Sequence, residues 1–255
     1  MKICRFIYQD KILYGGLKDN RIFPMRNLEH YDNSSKEIIL EESIDISEVV
    51  FLPPTVPSKI VCVGRNYAEH AAELGNEVPK EPLLFLKAPS ALITNNEAIQ
   101  IPRSSDQVEH EGELAVVIGR TCKNLTEIEN PFDYVFGYVC LNDVTARDLQ
   151  RKDVQFTRAK SFDTFCPVSS FVETELDVSN IEVITKVNDV IKQRGRTAQM
   201  VFSVKFLIRY ISNQMTLYSG DIIATGTPSG VSKLNVGDIC EVEIEGIGVL
   251  RNSVE

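Results

Sequence analysis

The sequence predicts an α+β fold, a β-rich roll or sandwich, carrying a small β subdomain at its N-terminus. Most apolar segments are short, about four to eight residues, and are bounded by Gly, Pro, Asn or Asp, which is the signature of strands. Only three stretches carry helical character, and strands do not alternate with helices as Rossmann or TIM arrangements require. With 255 residues and 43 % hydrophobic content, the chain has ample material for a core. No internal repeat or low-complexity tract is visible.

The elements follow in order. Strand-like pieces run over Ile3 to Tyr8, Lys11 to Gly15 and Arg21 to Pro24, with turns at Asp10 and Asp19-Asn20. His30 sits in a polar stretch and is expected on the surface. Residues 1–52 form the small subdomain, and the proline-rich stretch 53–58 reads as a stiff linker to the main domain, 59–255. Lys59 to Val63 is a β-branched strand that turns into a short helix, with Asn66 and Glu69 as a capping box and Gly75 as the stop. Pro82 to Lys87 is a buried-looking strand ending on a lysine, and a strand through Glu111 to Gly119 follows. Phe132 to Leu141 is another strand, Val144 to Gln150 has helical character, and 158–167 fits no regular element. An alternating strand covers 181–191, an amphipathic helix Val201 to Asn213, and the chain ends in strands through Gly220 to Thr225, Val236 to Ile244 and Gly246 to Val254.

Charge narrows the function classes. The net charge is -9, and no Lys/Arg-rich run is present, which argues against nucleic-acid or anionic-membrane partners and favours a small molecule. Met1 to Tyr8 is too short in its apolar part for a signal peptide, and no apolar run approaches a membrane span, so a soluble cytoplasmic protein is expected. The six cysteines, at 4, 62, 122, 140, 166 and 240, include no Cys-x-x-Cys pair and read as buried free thiols.

Chemistry concentrates at a few places. Glu111-Gly112-Glu113 puts two carboxylates on one face of an apolar strand, about 6.5 to 7 Å apart. They repel unless something positive lies between them. The same pattern also fits two solvated acids on an exposed face. His70 and Glu73 stand at i and i+3 on the short helix, the pairing that orients a general base, or simply two neighbours on a wet helix face. Asp143, Arg147 and Gln150 follow i, i+4, i+7 spacing from a strand end. Lys160 is either an ordinary surface lysine or one turned towards an anion. Gly226-Thr-Pro-Ser-Gly230 lacks the Gly-Lys-Ser/Thr ending of a phosphate loop, although its backbone and Thr227 suit a carboxylate.

Taken together, six motifs in order resemble the fumarylacetoacetate hydrolase family across residues 58–255. They are Val63-Gly-Arg-Asn-Tyr-Ala-Glu-His-Ala-Ala-Glu73, Glu111-Gly-Glu-Leu-Ala-Val-Val-Ile-Gly119, Asn142-Asp-Val-Thr-Ala-Arg-Asp-Leu-Gln150, Ala159-Lys-Ser-Phe-Asp-Thr-Phe-Cys-Pro167, Thr225-Gly-Thr-Pro-Ser-Gly-Val231 and Glu243-Ile-Glu-Gly-Ile-Gly248. The resemblance implies the fold of that family's C-terminal domain and one divalent cation on Glu111, Glu113 and Asp143. A set of three carboxylates without sulfur or imidazole suits Mg2+ or Mn2+, with Ca2+ also compatible. Gly112 would then leave room for cation and substrate, and His110 would point to the opposite face. The resemblance further implies His70 and Glu73 as the base dyad, Lys160 as the active-site lysine, and Arg147, Gln150 and Thr227 near the substrate.

The implied chemistry is cleavage of a carbon–carbon bond next to an α-keto acid through a metal-stabilised enolate, as acylpyruvate hydrolysis or oxaloacetate decarboxylation. Isomerisation or decarboxylation of a 2-hydroxyhepta-2,4-diene-1,7-dioate type substrate is the alternative. A further alternative is a metal-binding homologue without turnover. A homodimer is expected from the same resemblance. Thr145, where serine is frequent, and Ser161, where glycine often follows the lysine, depart slightly from the pattern.

Overall fold

The computed structural model describes residues 1–25 and 42–255, and His30 lies outside them. The architecture is α+β and rich in strands, as the sequence predicts: an eleven-stranded sheet, a four-stranded sheet, two small strand pairs and a few short helices. The large sheet runs in the order Ile44–Asp45, Arg21–Pro24, Lys11–Lys18, Lys2–Tyr8, Phe171–Glu173, Val135–Asn142, Gly112–Ile118, Ile222–Ala224, Ile60–Gly64, Leu83–Lys87, with Val50–Leu52 also on Lys2–Tyr8. The N-terminal strands are thus continuous with the rest through the antiparallel pairing of Lys2–Tyr8 with Phe171–Glu173. The Met1 ammonium adds an ion pair to Glu173 Oε1 at 2.5 Å. The second sheet orders Val190–Arg196, Glu182–Val187, Ile239–Ile244 and Gly248–Ser253.

Gly112–Ile118 and Val135–Asn142 are buried at every position because a core lies on each face of the large sheet. Side chains alternate between the two faces. Ala115 and Val117 enter one core with Val139 and Leu141, while Leu114, Val116 and Ile118 enter the other with Val183, Val242 and Ile244 of the second sheet. Burial on both faces explains why these segments read as continuous apolar runs. The same alternation corrects the role expected of Gly112. It faces the second sheet, where a Cβ would stand 2.0 Å from Thr185 Oγ1 and 3.2 Å from Val242 Cγ1. Its missing side chain admits a neighbouring sheet and not a cation.

Three two-residue turns, Gln9-Asp10, Asp19-Asn20 and Asn188-Asp189, hold both residues at positive φ, the backbone that joins tightly twisted hairpins. The third divides the expected strand 181–191 into a hairpin, Glu182–Val187 with Val190–Arg196. Asn66 is not a helix cap. Tyr67 occupies that place without a side-chain cap bond, whereas Asn66 donates to Thr225 O (2.7 Å) and Phe202 O (3.0 Å) and accepts from Phe202 N (2.8 Å), tying three segments together. The helix Ala68–Glu73 does stop at Gly75: Gly75 N and Asn76 N donate to Ala72 O and Ala71 O, a Schellman closure with Gly75 at φ +69°.

Two more segments differ from expectation. Thr145–Ala146 pairs with Val108–Glu109, so the helix begins only at Arg147 and Asp143 lies off it. Within 158–167, Thr157–Lys160 forms a single helical turn that buries Lys160. The longest helix among the described residues, Val204–Gln214, starts from Ser203, whose hydroxyl accepts from Phe206 N, and it seats Val204, Leu207, Ile208 and Ile211 on the core. All six cysteines are buried and free. Among the described residues, no helix is long and apolar enough to cross a membrane.

Candidate active site

Pairing in the large sheet brings distant segments to one place. Gly112 pairs with Asn142, and Ala115 with Ala224, so the start of the Gly112–Ile118 strand, the end of Val135–Asn142 and the turn after Ile222–Ala224 meet. Side-chain and backbone bonds close the join: Glu111 N donates to Asn142 Oδ1 (2.9 Å) and Asp143 N to Glu111 O (2.8 Å). As a result Glu111, Glu113 and Asp143, all buried, present carboxylate oxygens within 4.8 Å of one another.

Three cations surround this cluster. Lys160 Nζ donates to Glu111 Oε2 (2.8 Å) and Asp143 Oδ2 (2.6 Å), and Lys87 Nζ takes the other Asp143 oxygen at 2.6 Å. Arg147 pairs with Glu111 Oε1 and with Glu109 Oε2, the latter at 2.7 Å, and donates to Gln150 Oε1 at 2.5 Å. Glu113 instead accepts from Gly226 N at 2.7 Å.

The electrostatics follow these contacts. Burial would raise the Glu111 carboxyl, but Lys160 and Arg147 beside it more than offset this and hold it below the usual carboxylate range. Burial, reinforced by Asp143 and Glu111, pushes Glu113 well above that range. Burial works against the charge on Lys160, yet Asp143 and Glu111 keep its ammonium form favoured. A divalent cation would relieve the like-charge crowding at Glu113. The donor set, oxygen only and closely spaced, therefore fits such a cation.

Above the cluster stands the Ala68–Glu73 helix. His70 is buried with Nδ1 3.4 Å from Glu73 Oε2, and Glu73 accepts from Gly230 N (3.0 and 3.1 Å), which fixes the helix against the Gly226–Gly230 turn. A cavity of about 270 Å³ opens here, lined by His70, Glu111, Lys160, Arg147, Gln150 and Thr227. Arg65 and Arg151 also border it, and Phe85 and Phe156 supply apolar wall. The Thr227 hydroxyl is spent inside the protein: it donates to Gly112 O (2.8 Å) and accepts from Gln193 Nε2 (2.7 Å).

The structure thus gathers Glu111, Glu113, Asp143, Lys160, Arg147, Gln150, His70, Glu73 and Thr227 around one site. It adds residues that the sequence reading did not assign. Lys87 is legible after the fact as a lysine closing an apolar strand, and Glu109 as the next acid on the Glu111/Glu113 alternation. Gln193 left no such signal, because it reaches in from the second sheet. Its Oε1 accepts from Gly112 N (3.0 Å) and faces His110 Nδ1 (3.1 Å), so Nδ1 carries the proton and Nε2 accepts from Ser232 Oγ (2.8 Å). His110 is accordingly a satisfied buried imidazole whose pKa burial lowers, with Gln193 opposing. The two departures from the family pattern keep useful bonds: Thr145 Oγ1 donates to Asp143 O (2.8 Å), and Ser161 Oγ accepts from Ala88 N (3.0 Å), next to Lys87.

Fold and site together define a β-rich α+β protein with a buried hard-oxygen cluster able to hold a divalent cation. Residues 59–255 match the model of the fumarylacetoacetate (FAA) hydrolase C-terminal family, and the chain belongs to that family. It is 46 % identical over 196 residues to a protein of Dictyostelium discoideum named oxaloacetate decarboxylase, mitochondrial, covering 74 % of this chain and 89 % of that one. It is 45 % identical over 204 residues to an Arabidopsis thaliana protein named a mitochondrial oxaloacetate tautomerase, covering 78 % and 91 %. The crystal structure of the 2-hydroxyhepta-2,4-diene-1,7-dioate isomerase from Mycobacterium marinum superposes with a TM-score of 0.88 at 37 % identity, over 100 % of this chain and 98 % of that one.

Proposed function

We propose that this chain cleaves a carbon–carbon bond next to the keto group of an α-keto acid, by oxaloacetate decarboxylation or acylpyruvate hydrolysis. The observation that carries the proposal is Lys160, which touches two of the three clustered carboxylates and lines the same cavity as His70. A hard divalent cation on Glu111, Glu113 and Asp143, Mg2+ or Mn2+ ahead of Ca2+, would supply Lewis-acid stabilisation of charge developing on the keto oxygen. Lys160, kept protonated by its two carboxylates, adds a second fixed positive charge beside that oxygen. Oriented by Glu73, His70 moves the proton: onto the carbon that loses carbon dioxide, or off a water attacking a distal carbonyl.

The test is incubation with oxaloacetate and with acetylpyruvate in the presence of Mg2+ or Mn2+, following pyruvate formation, with a chelator control. Metal-dependent pyruvate release is expected. Unchanged substrate despite measured metal binding would overturn the proposal and point to a metal-binding protein without turnover. A second reading has its own support in the His70–Glu73 pair, a proton-transfer device that also serves keto–enol interconversion or diene isomerisation, the activities in the names of two relatives. Loss of enol absorbance without pyruvate would select it. We further propose a homodimer, which a monomer mass in solution at micromolar concentration would contradict.

A further inference from the structure

We infer that Arg65 is a specificity-determining residue that reads a second carboxylate at the far end of the substrate, so that the site prefers keto diacids to keto monoacids. The inference rests on the α-keto acid reading above and extends it to the distal group.

A ledger of positive charge around the cavity points to it. Arg147 has given its donors to Glu109, Glu111 and Gln150, and Lys160 has given its own to Glu111 and Asp143. Both therefore sit at the carboxylate cluster, the reacting end of the cavity. Arg65 also lines the cavity, is half-buried, and among the described residues makes no ion pair or hydrogen bond. Arg151, exposed at the rim, donates among the described residues only to the neutral amide oxygen of Gln107 at 3.1 Å. Two guanidinium groups with no carboxylate of their own therefore face the space next to the reacting end, in a chain whose net charge is -9. A guanidinium at a cavity wall that shares no carboxylate with the rest of the protein keeps its donors available to an anionic group of a ligand.

The backbone adds an independent observation. Arg65 has φ +58°, a left-handed conformation uncommon for a side chain of this size. It is held there between the Ile60–Gly64 strand, buried from Ile60 to Val63, and Asn66, whose amide is locked to Thr225 and Phe202. Backbone strain that is over-determined by its surroundings is characteristic of positions that aim a group at a ligand. The planar fork of arginine matches a carboxylate in two bonds, whereas the neutral tail of an acylpyruvate would leave it unsatisfied.

The experiment compares binding of 2-oxoglutarate and 2-oxopentanoate, which differ only in a terminal carboxylate against a methyl, by calorimetry with Mg2+ present. The wild type is expected to bind the diacid at least about tenfold more tightly, the scale of a charge-assisted hydrogen bond. Arg65→Gln should reduce that ratio to within about threefold, Arg65→Lys should retain part of it, and Arg151→Gln should lower it less. A wild-type ratio near one, no binding of either acid, or a ratio unmoved by Arg65→Gln would overturn the inference. Diacid selectivity without turnover of oxaloacetate would leave it standing and refute the proposed reaction instead.

Discussion

Replacing Gly112 by alanine is the sharpest test of how the carboxylate strand is held. The new Cβ would lie 2.0 Å from Thr185 Oγ1, well over 1 Å inside ordinary contact, with Val242 Cγ1 at 3.2 Å and Thr185 Cβ at 3.3 Å. Neither side can simply move. Gly112 is registered against Asn142, and Thr185 is clamped between Gln193 and Val242 of the second sheet. Overpacking of this kind costs about 1–3 kcal/mol, and the locked backbones place it near the upper end. Alanine regains roughly 0.4–1 kcal/mol from the unfolded chain, leaving a net loss of about 2 kcal/mol. That corresponds to a fall in Tm of about 4–8 °C for a chain of this size.

Thr185→Ala supplies the complement. The Thr185 hydroxyl is buried without a hydrogen-bond partner among the described residues, so its removal relieves an unsatisfied group while losing one methyl of packing, and the single change is expected within about 1 kcal/mol of wild type. The double variant should recover most of the Gly112→Ala loss, a coupling of roughly 2 kcal/mol with a stabilising sign. Urea unfolding of the four proteins measures it. Additive effects, or a Gly112→Ala variant as stable as wild type, would refute the claim that the Gly112 notch is filled by Thr185.

Three other outcomes are expected. Glu113→Ala should weaken Mn2+ binding by more than the roughly 10- to 100-fold that outer-shell partners cost, and calorimetry decides it; turnover undiminished in excess chelator would end the metal role. His70→Asn should lower the rate by about 10²- to 10⁴-fold with Mn2+ affinity changed less than threefold, and an unaltered rate would remove His70 from the chemistry. Asp221 accepts from Ser58 N, Ser58 Oγ, Lys59 N and Tyr218 N and pairs with Lys59, so Asp221→Ala should destabilise by about 3 kcal/mol in urea unfolding; a loss below about 1 kcal/mol would contradict that accounting.

Much of the fold was legible from local chemistry. Strands announced themselves by apolar runs and by turn residues that tolerate positive φ, as at Asp19-Asn20, and Gly75 ended its helix for the same reason. Asn188-Asp189 carried that signal too, but the apolar residues on either side masked it, so one strand was expected where a hairpin stands. Asn66 has the composition of a cap and sits where a cap belongs. Its side chain nevertheless bonds to Phe202 and Thr225, more than 130 residues away, a long-range competition that local pattern does not encode.

The candidate site divides in the same way. Local spacing put Glu111 with Glu113 and His70 with Glu73 on common faces but left each pair, and Lys160, open to an ordinary surface reading; only the resemblance of six ordered motifs to the family joined them with Asp143 into one site. The β-rich α+β class was likewise fixed by composition and period. Tertiary structure alone decided which groups share a carboxylate. It drew Lys87 onto Asp143, brought Gln193 across from the second sheet, committed Arg147 and the Thr227 hydroxyl inside the protein, and gave Arg65 no carboxylate partner among the described residues. Sequence encodes side-chain chemistry and the direction of each face, whereas partner choice depends on strand register and sheet packing, which only the folded chain sets.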